Sequence, residues 1–590
     1  MCGICGQIGL NKKKASVETV AAMTEMMSSR GPDAMGLFIQ NNTALGHRRL
    51  KIIDLSECAQ QPMVDYTLGL AIVYNGAIYN YNELRSDLKQ MGYTFFSSGD
   101  TEVILKAYHA WGKNCVDHFN GMFAFAIVHR DSGKIFLARD RLGIKPLYYI
   151  KTQDEFRFAS SLPALLAGGG IDTNIDPVAL NFFMTFHSVV PAPHTILKGV
   201  KKLPPASHMT LSPNGSLVEA SYWELTFTSR KEERNFCFDD WKEKIRHTLL
   251  KAVRRRLTAD VPVGVLLSGG VDSSLVVGLL AELGQQKLNT FSIGFESVNG
   301  EKGNEFEYSD IIAETFGTVH HKIQTESSTV LPTLEHCIRA MSEPMVSHDC
   351  IGFYLLSEAV SRHVKVVQSG QGADEIFGGY HWYPPLLDNC NPVYGYVGAF
   401  FDRSYTEYAA AVHPRFVDED YSFNFVEKHF AKRGAKSSVD KALRIDTTVM
   451  LVDDPVKRVD NMTMAWGLEA RVPFLDHKLV ELAARIPAKH KVKAGGKQIL
   501  KEAARSIIPS AVIDRPKGYF PVPALKYLKN EYFDFVREIL LAPRSRERDI
   551  FNPDYVEKMM EKPNEHLTPL KGSKLWQMAS LEYWLTLQGL

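Results

Sequence analysis

Apolar positions along this chain fall into short runs whose period changes from region to region. Up to about residue 150 they read as short strands and helices. Leu70–Tyr74 is an apolar run, Tyr81–Met91 has helical spacing, and Phe123–Val128 precedes the turn Asp131-Ser132-Gly133. Strand and turn alternate again through Ile135–Ala138 and Leu147–Ile150. Pro and Gly crowd between Val189 and Pro205, which predicts loops at a domain edge. Thr226–Asn235 is polar and lacks apolar periodicity. These breaks predict a first domain over residues 1–225, a linker over 226–239 and a second domain over 240–590.

The second half has a different rhythm. A helical stretch, Asp240–Leu257, leads to the apolar run Val261–Leu267, a Gly-rich turn and an apolar-striped helix over Ser273–Leu283. The run Thr290–Phe295, a helix near Tyr308–Phe316 and the run Val364–Gln368 follow, the last ending in a second Gly-rich turn. Strands alternating with helices predict a parallel α/β sheet. Beyond about Tyr380 the strand signal fades and the remainder reads as helical.

A length of 590 residues allows two to four domains, and the formal net charge of +1 gives no broad steering toward nucleic acid or an anionic membrane. The basic run Arg254-Arg255-Arg256 is expected to be a solvated helix face. No stretch is long and apolar enough to predict a membrane span, and no secretory pattern opens the chain. Eight cysteines without framework spacing point to a reducing cytoplasm. Cys2 and Cys5 form a CxxC, but no second pair or closely spaced histidines follow to complete a zinc site.

Candidate chemistry starts at Cys2. Removal of Met1 is expected because cysteine is small, and it would leave a thiol and a free α-amine on one residue. An α-amine with a pKa near ~7.7 can accept the proton of a thiol whose pKa is near ~8.5. A Met-Cys start is weak evidence alone. Six further motifs follow in order: RGPD at Arg30–Asp33, GHRRLKIID at Gly46–Asp54, YNGAIYN at Tyr74–Asn80, SSGDTEV at Ser97–Val103, NGMFAFAI at Asn120–Ile127 and RDRLGIKPLYY at Arg139–Tyr149. Together they resemble the glutaminase domain of class II glutamine amidotransferases, an N-terminal-nucleophile (Ntn) αββα sandwich. The resemblance implies Cys2 as nucleophile, the Asn75 side chain and Gly76 N–H as oxyanion hole, Arg49 on the glutamine α-carboxylate and Asp100 on its α-amine. Arg49 alternatively belongs to a surface basic cluster with Arg48 and Lys51, and Asp100 to a helix start. Relatives often read NGEIYN, with Glu where this chain has Ala77, which puts one glutamine contact in question.

VPVGVLLSGGVDSS, Val261–Ser274, is the strongest local signal. A strand runs into glycines whose N–H groups can approach phosphate, and a helix N-terminus follows. Asp272 is suited to holding magnesium against phosphates. Neither a Walker motif nor GxGxxG is present. SGGxDSS resembles the pyrophosphate loop of the ATP pyrophosphatases, which split ATP between the α and β phosphates. SGQGADE at Ser369–Glu375, WGLEARVPFLD at Trp466–Asp476 and KQILKEAAR at Lys497–Arg505 follow in the order of the asparagine synthetase family, and this likeness spans nearly the whole chain. It implies an adenine-nucleotide alpha-hydrolase-like second domain with a helical C-terminal part. Leu266 and Ile293 would contact adenine. Ser268, Gly269, Gly270, Ser273, Ser369 and Gly370 would face phosphates. Asp272 and Asp374 would hold magnesium, and Lys497 would stabilise the leaving pyrophosphate. A solvent lysine on a helix is the alternative for Lys497.

The implied partners are glutamine, ATP with magnesium and a carboxylate acceptor, without a prosthetic group, nucleic acid or membrane; relatives often form dimers. The resemblance also implies an enclosed ammonia path. Gln371 stands where asparagine synthetases read SGEGxDE, and an amide cannot act as a base. The spans Thr185–Pro193, Met341–Asp349 and Ser369–Leu386 resemble the bacterial N-acetylglutaminylglutamine amidotransferase branch, which implies an acetylated dipeptide as acceptor and an amide osmoprotectant as product. His381-Trp382-Tyr383 could then line a roomier pocket, though packed core is the default for Trp382. Plain asparagine synthesis is the competing reading. A nucleophile-less regulatory relative and a ring-closing β-lactam synthetase are disfavoured by Cys2.

Overall fold

The computed structural model describes residues 2–11, 13–297, 303–516, 518 and 528–590. The first half is built from two six-stranded antiparallel sheets. One contains β1 (Gly3–Gly9), β2 (Ala34–Gln40), β3 (Thr43–Arg49), β8 (Tyr148–Lys151), β9 (Glu155–Ala159) and β10 (Lys201–Lys202), in the order β10-β8-β9-β1-β3-β2. The other contains β4 (Met63–Asp65), β5 (Leu70–Ile78), β6 (Gly121–His129), β7 (Ile135–Arg139), β11 (Ser207–Leu211) and β12 (Leu217–Ser221), in the order β12-β11-β7-β6-β5-β4.

Strand alternation explains the layers. On β5, Ala71 and Val73 meet Ile4, Ile8, Leu45 and Phe158 between the sheets. Ile72 and Tyr74 point the other way, onto Ile104, Leu105 and Tyr108 of the helix Asp100–Trp111. The helix Val17–Glu25 covers the first sheet. This is the αββα sandwich of an Ntn domain.

The second half holds a five-stranded parallel sheet ordered β15-β14-β13-β16-β17, with β13 (Val263–Leu266), β14 (Asn289–Phe295), β15 (Val319–Thr325), β16 (Val366–Gln368) and β17 (Glu469–Arg471). Helices Phe238–Arg255 and Val271–Glu282 precede and follow β13. The C-terminal part is helical, apart from β17. That strand lies where the sequence gives no strand signal, because three residues are too few to show a period.

A long helical passage runs from Ser438 to Met464 and includes two π-helical stretches, Asp446–Met450 and Val452–Val456. Pro455 lies in the second, where an α-helical i→i−4 bond could not form. The passage carries Asp446, Asp453, Arg458 and Asp460 into the interior.

The basic run is not a solvated face. Arg254 is exposed, but Arg256 is buried, and Arg255 and Arg256 both donate to Asp476, at 3.2 and 3.1 Å. The expectation missed that the helix ends against the Pro473–Asp476 turn, where a buried carboxylate needs cationic partners. No helix among the described residues is long and apolar enough to cross a membrane.

Candidate active sites

Cys2 lies immediately before β1 and is 8% exposed. It lines a small chamber with Arg49, Leu50, Gln61, Tyr74, Gly76, Asp100 and Thr101. The Cys2 N–H donates to Asn75 Oδ1 at 3.0 Å. That bond fixes the amide orientation and leaves Asn75 Nδ2 as a buried donor without a partner among the described residues. An unpaired N–H beside a cysteine thiol has the chemistry of an oxyanion-hole donor. Gly76 is required by close approach, since a Cβ there would come within 2.1 Å of Met122 O.

Burial pushes the Cys2 thiol up, and Glu469 adds to the rise, against the Leu50 backbone and Arg49, which pull it down. The resting thiol is therefore neutral and needs a base. The Arg49 guanidinium is oriented by the carbonyls of Ser56, at 2.9 Å, and Asp54. Asp100 opens its helix, yet its Oδ2 accepts from Tyr74 Oη at 2.8 Å and Ile78 N at 3.0 Å, so the carboxylate is held inside the chamber wall. Ala77 packs in the core at 1% exposure.

Two residues of this chamber, Glu469 and Arg471, come from the far end of the chain. The motif Trp466–Asp476 contains them, but no spacing in the sequence ties them to Cys2.

The second site is a cleft of about 260 Å³ at the C-terminal ends of β13, β14 and β16, where ligands bind in open parallel sheets. Leu266, Ser268, Gly270, Asp272, Ser273, Ile293, Ser369, Gly370, Asp374 and Lys497 all line it. Gly269 shapes the loop from behind. Its φ of +75° suits glycine, and a Cβ would come within 2.7 Å of Ser309 N. Ser273 Oγ lies 3.1 Å from Ser268 Oγ and ties the loop to the helix N-terminus.

Lys497 precedes its helix in a left-handed conformation and is 8% exposed, so it is not a solvent lysine on a helix face. Its ammonium lies 2.7 Å from Asp272 and 3.0 Å from Asp374, and the two carboxylates hold its pKa above the usual lysine range despite burial. Two carboxylates across a phosphate-sized cleft form an oxygen donor set that fits magnesium, which takes its other ligands from water and phosphate. The cleft also draws in Asn304, Phe353 and Arg515, which no local motif marked, and Asp349 and Glu375, which lie in motifs but were given no role there.

Trp382 and Tyr383 do not line the cleft. Trp382 Nε1 and the Tyr383 and Tyr396 hydroxyls converge on Asp446 at 3.1, 2.5 and 2.5 Å, all buried. Trp382 is packed core, as its default reading had it, and the roomier-pocket expectation fails for Tyr383, because a buried carboxylate recruits both as donors. Tyr380 does reach the cleft, with its hydroxyl 2.6 Å from Glu375 Oε1. Gln371 lines both this cleft and a small cavity between the halves, formed with Ile144, Lys145, Val456, Val459, Asp460, Ala470 and Val472.

Comparison with known proteins agrees with both halves. Residues 1–223 match the family described as glutamine amidotransferase domain, and residues 244–586 match asparagine synthase. The chain is 32% identical to asparagine synthetase [glutamine-hydrolyzing] 1 of Bacillus subtilis, over 95% of this chain and 93% of that relative. It is 30% identical to asparagine synthetase [glutamine-hydrolyzing] 3 of the same organism, over 94% and 91%. Amidase chry2 of Gibberella zeae is 27% identical, over 86% of each.

Proposed function

The chain belongs to the asparagine synthase family and carries a glutamine amidotransferase domain, and from that premise we propose how its two sites divide one glutamine-dependent amidation. The observation that carries the reading is the coexistence in one chain of a buried cysteine chamber with an unpaired amide donor and a glycine-lined cleft holding a lysine between two aspartates.

In the first site the Cys2 sulfur attacks the side-chain carbonyl of glutamine, with its proton passing to the α-amine exposed by loss of Met1. Asn75 Nδ2 and the Gly76 N–H receive the oxyanion. Ammonia leaves, and water releases glutamate from the thioester. Arg49 holds the α-carboxylate of the glutamine and Asp100 its α-amine.

In the second site the acceptor carboxylate displaces pyrophosphate from ATP, forming an acyl adenylate. Leu266 and Ile293 hold adenine, while Ser268, Gly269, Gly270, Ser273, Ser369 and Gly370 face the phosphates. Lys497 neutralises charge on the leaving group. Asp272 and Asp374 would hold magnesium, which supplies charge neutralisation for the phosphates when bound. Ammonia, carried along the interdomain cavity that Gln371 borders, then replaces AMP.

For the acceptor, the relatives named asparagine synthetase support aspartate. One observation favours a second reading, amidation of the C-terminal carboxylate of N-acetylglutaminylglutamine. Gln371, at the junction of cleft and cavity, has no carboxylate to act as a base there. The test supplies enzyme, ATP and glutamine with either acceptor and follows pyrophosphate, AMP and glutamate. Turnover of aspartate alone establishes asparagine synthesis, and turnover of the dipeptide alone establishes the second reading. ADP as the stoichiometric product would sink the adenylate mechanism itself.

A further inference from the structure

Arg515 brings a second cation to the SGGVDSS loop, from a part of the chain far outside that motif. It follows the short helix Ser510–Ile513, whose Val512 and Ile513 are buried. That helix packs on the helices Val271–Glu282 and Phe306–Phe316. The first of these begins from the loop itself, with Gly270 as its N-cap. The packed turn therefore delivers the guanidinium to the loop. A Cβ on Gly270 would lie 3.7 Å from Arg515 Nη2. Apart from the chain neighbours of Gly270, only Ser268 Oγ, at 3.4 Å, would be nearer among the described residues. Lys497 meets the same loop at Asp272.

The guanidinium is held in place. Its Nη2 donates to Glu305 Oε2 at 2.9 Å, it lies over the Tyr308 ring at 4.4 Å from the centroid, and the side chain is 9% exposed. Tyr308 also backs the loop, since a Cβ on Gly269 would come within 2.8 Å of Tyr308 Cβ. Loop, tyrosine and arginine thus form one packed unit. Arg515 and Glu305 both line the cleft, so the ion pair stands where a ligand of the loop can reach it. Glycine N–H groups at a helix N-terminus suit phosphate, and a planar guanidinium suits two phosphate oxygens at once. A phosphate on the loop would compete with Glu305 for the same guanidinium.

We propose that Arg515 is a pyrophosphate-binding residue: it exchanges Glu305 for the β and γ phosphates of ATP, and Glu305 reclaims it as pyrophosphate leaves. The inference rests on the reading of this cleft as the site where ATP is split between the α and β phosphates. Lys497 and Arg515 then neutralise the leaving group from two points of one loop. Glu305 acts as a built-in competitor that keeps the product from binding too tightly. AMP lacks the phosphates that Arg515 meets and does not engage it.

The test measures binding of magnesium pyrophosphate and of AMP to the full-length enzyme by calorimetry, beside ATP-dependent turnover. In Arg515→Met, pyrophosphate affinity should fall about tenfold or more, as expected for loss of a charge-assisted contact, with KM for ATP raised and AMP affinity kept. Glu305→Gln keeps the shape and removes the competing charge. Pyrophosphate should then bind about threefold tighter or more and inhibit turnover at lower concentration. An ion pair that only braces the fold would give both variants the same sign, so opposite signs distinguish the proposal. Wild-type pyrophosphate affinity in Arg515→Met, or an equal loss of AMP and pyrophosphate binding, overturns it. So does unchanged or weakened pyrophosphate binding in Glu305→Gln, which decides alone if Arg515→Met does not fold. ADP as the product of the wild-type enzyme would instead refute the adenylate reading beneath it, so the two failures are distinguishable.

Discussion

Asn75, Asp446 and Lys497 show how differently single residues can be read before the fold is known. Asn75 was legible because YNGAIYN resembles a family motif, though its unpaired Nδ2 emerges only when Cys2 N claims Oδ1. Lys497 was legible as a motif member, but its place between Asp272 and Asp374 depends on a left-handed backbone and residues 225 and 123 positions away, which no local pattern encodes. Cys2→Ala is expected to abolish glutamine-driven pyrophosphate release while synthesis from added ammonium continues, because the two chemistries occupy separate pockets; coupled assays with each nitrogen donor check this. Asp272→Ala and Lys497→Ala should do the reverse, removing synthesis and sparing basal glutamate release. Asp446 left no signal at all. Burial lifts its pKa from 3.8 to about 6, opposed by its three donors. A raised carboxyl carries no penalty when protonated in both folded and unfolded chains, below the ordinary value. The penalty grows as pH rises toward about 6 and is complete above it, on the order of 2–3 kcal/mol. Asp446→Asn, neutral and nearly isosteric, should lack that slope. The thermal midpoint of wild type relative to the variant should therefore rise as pH falls from about 7 to 4, and a difference that stays constant with pH would refute the assignment.

Among the elements, β13 with its glycine loop and following helix could be read almost residue by residue, since strand, turn and helix follow one another locally. β17 could not, because it is a strand only by virtue of its pairing with β16. The meeting of the two glycine loops that line the cleft also depends on tertiary context. Gly370 packs so closely on the first loop that a Cβ would lie 2.8 Å from Ser273 N and 3.0 Å from Asp272 Cβ. Neither neighbour is the far end of a flexible chain, so the backbone itself would have to shift. Gly370→Ala is expected to lower ATP-dependent pyrophosphate release at least about tenfold, equivalent to about 1.4 kcal/mol, while glutaminase activity persists. Retained pyrophosphate release with an unchanged KM for ATP would show that the loops tolerate separation.

At the scale of the whole molecule, the halves meet through buried charge as well as apolar packing. Lys202 of the first half donates to Glu343 and Asp453 of the second, at 2.9 and 2.6 Å. Arg30 and Lys145 both donate to Asp460, at 2.9 and 3.1 Å, with all three side chains nearly excluded from solvent. Burial would raise Asp460, but Arg30 and Lys145 hold it below the ordinary carboxylate range. A depressed carboxyl contributes stability that is present above its unfolded value of 3.8 and lost as pH falls through the lower folded value. Arg30 and Lys145 belong to sequence motifs, but their common partner lies more than 300 residues away, so the triad becomes visible only once the halves are docked. Asp460→Asn keeps the shape and removes the charge, leaving two buried cations without the carboxylate that pairs with both. Breaking a buried ion pair from one side typically costs about 3–5 kcal/mol. Asp460 and Lys145 also line the interdomain cavity, so loosening this contact should open a leak between the sites. The expected result is a lower thermal midpoint and more glutamate released per pyrophosphate than in wild type, with added ammonium partly restoring synthesis. Unchanged unfolding together with an unchanged glutamate-to-pyrophosphate ratio would show that the triad neither holds the halves together nor seals the space between them.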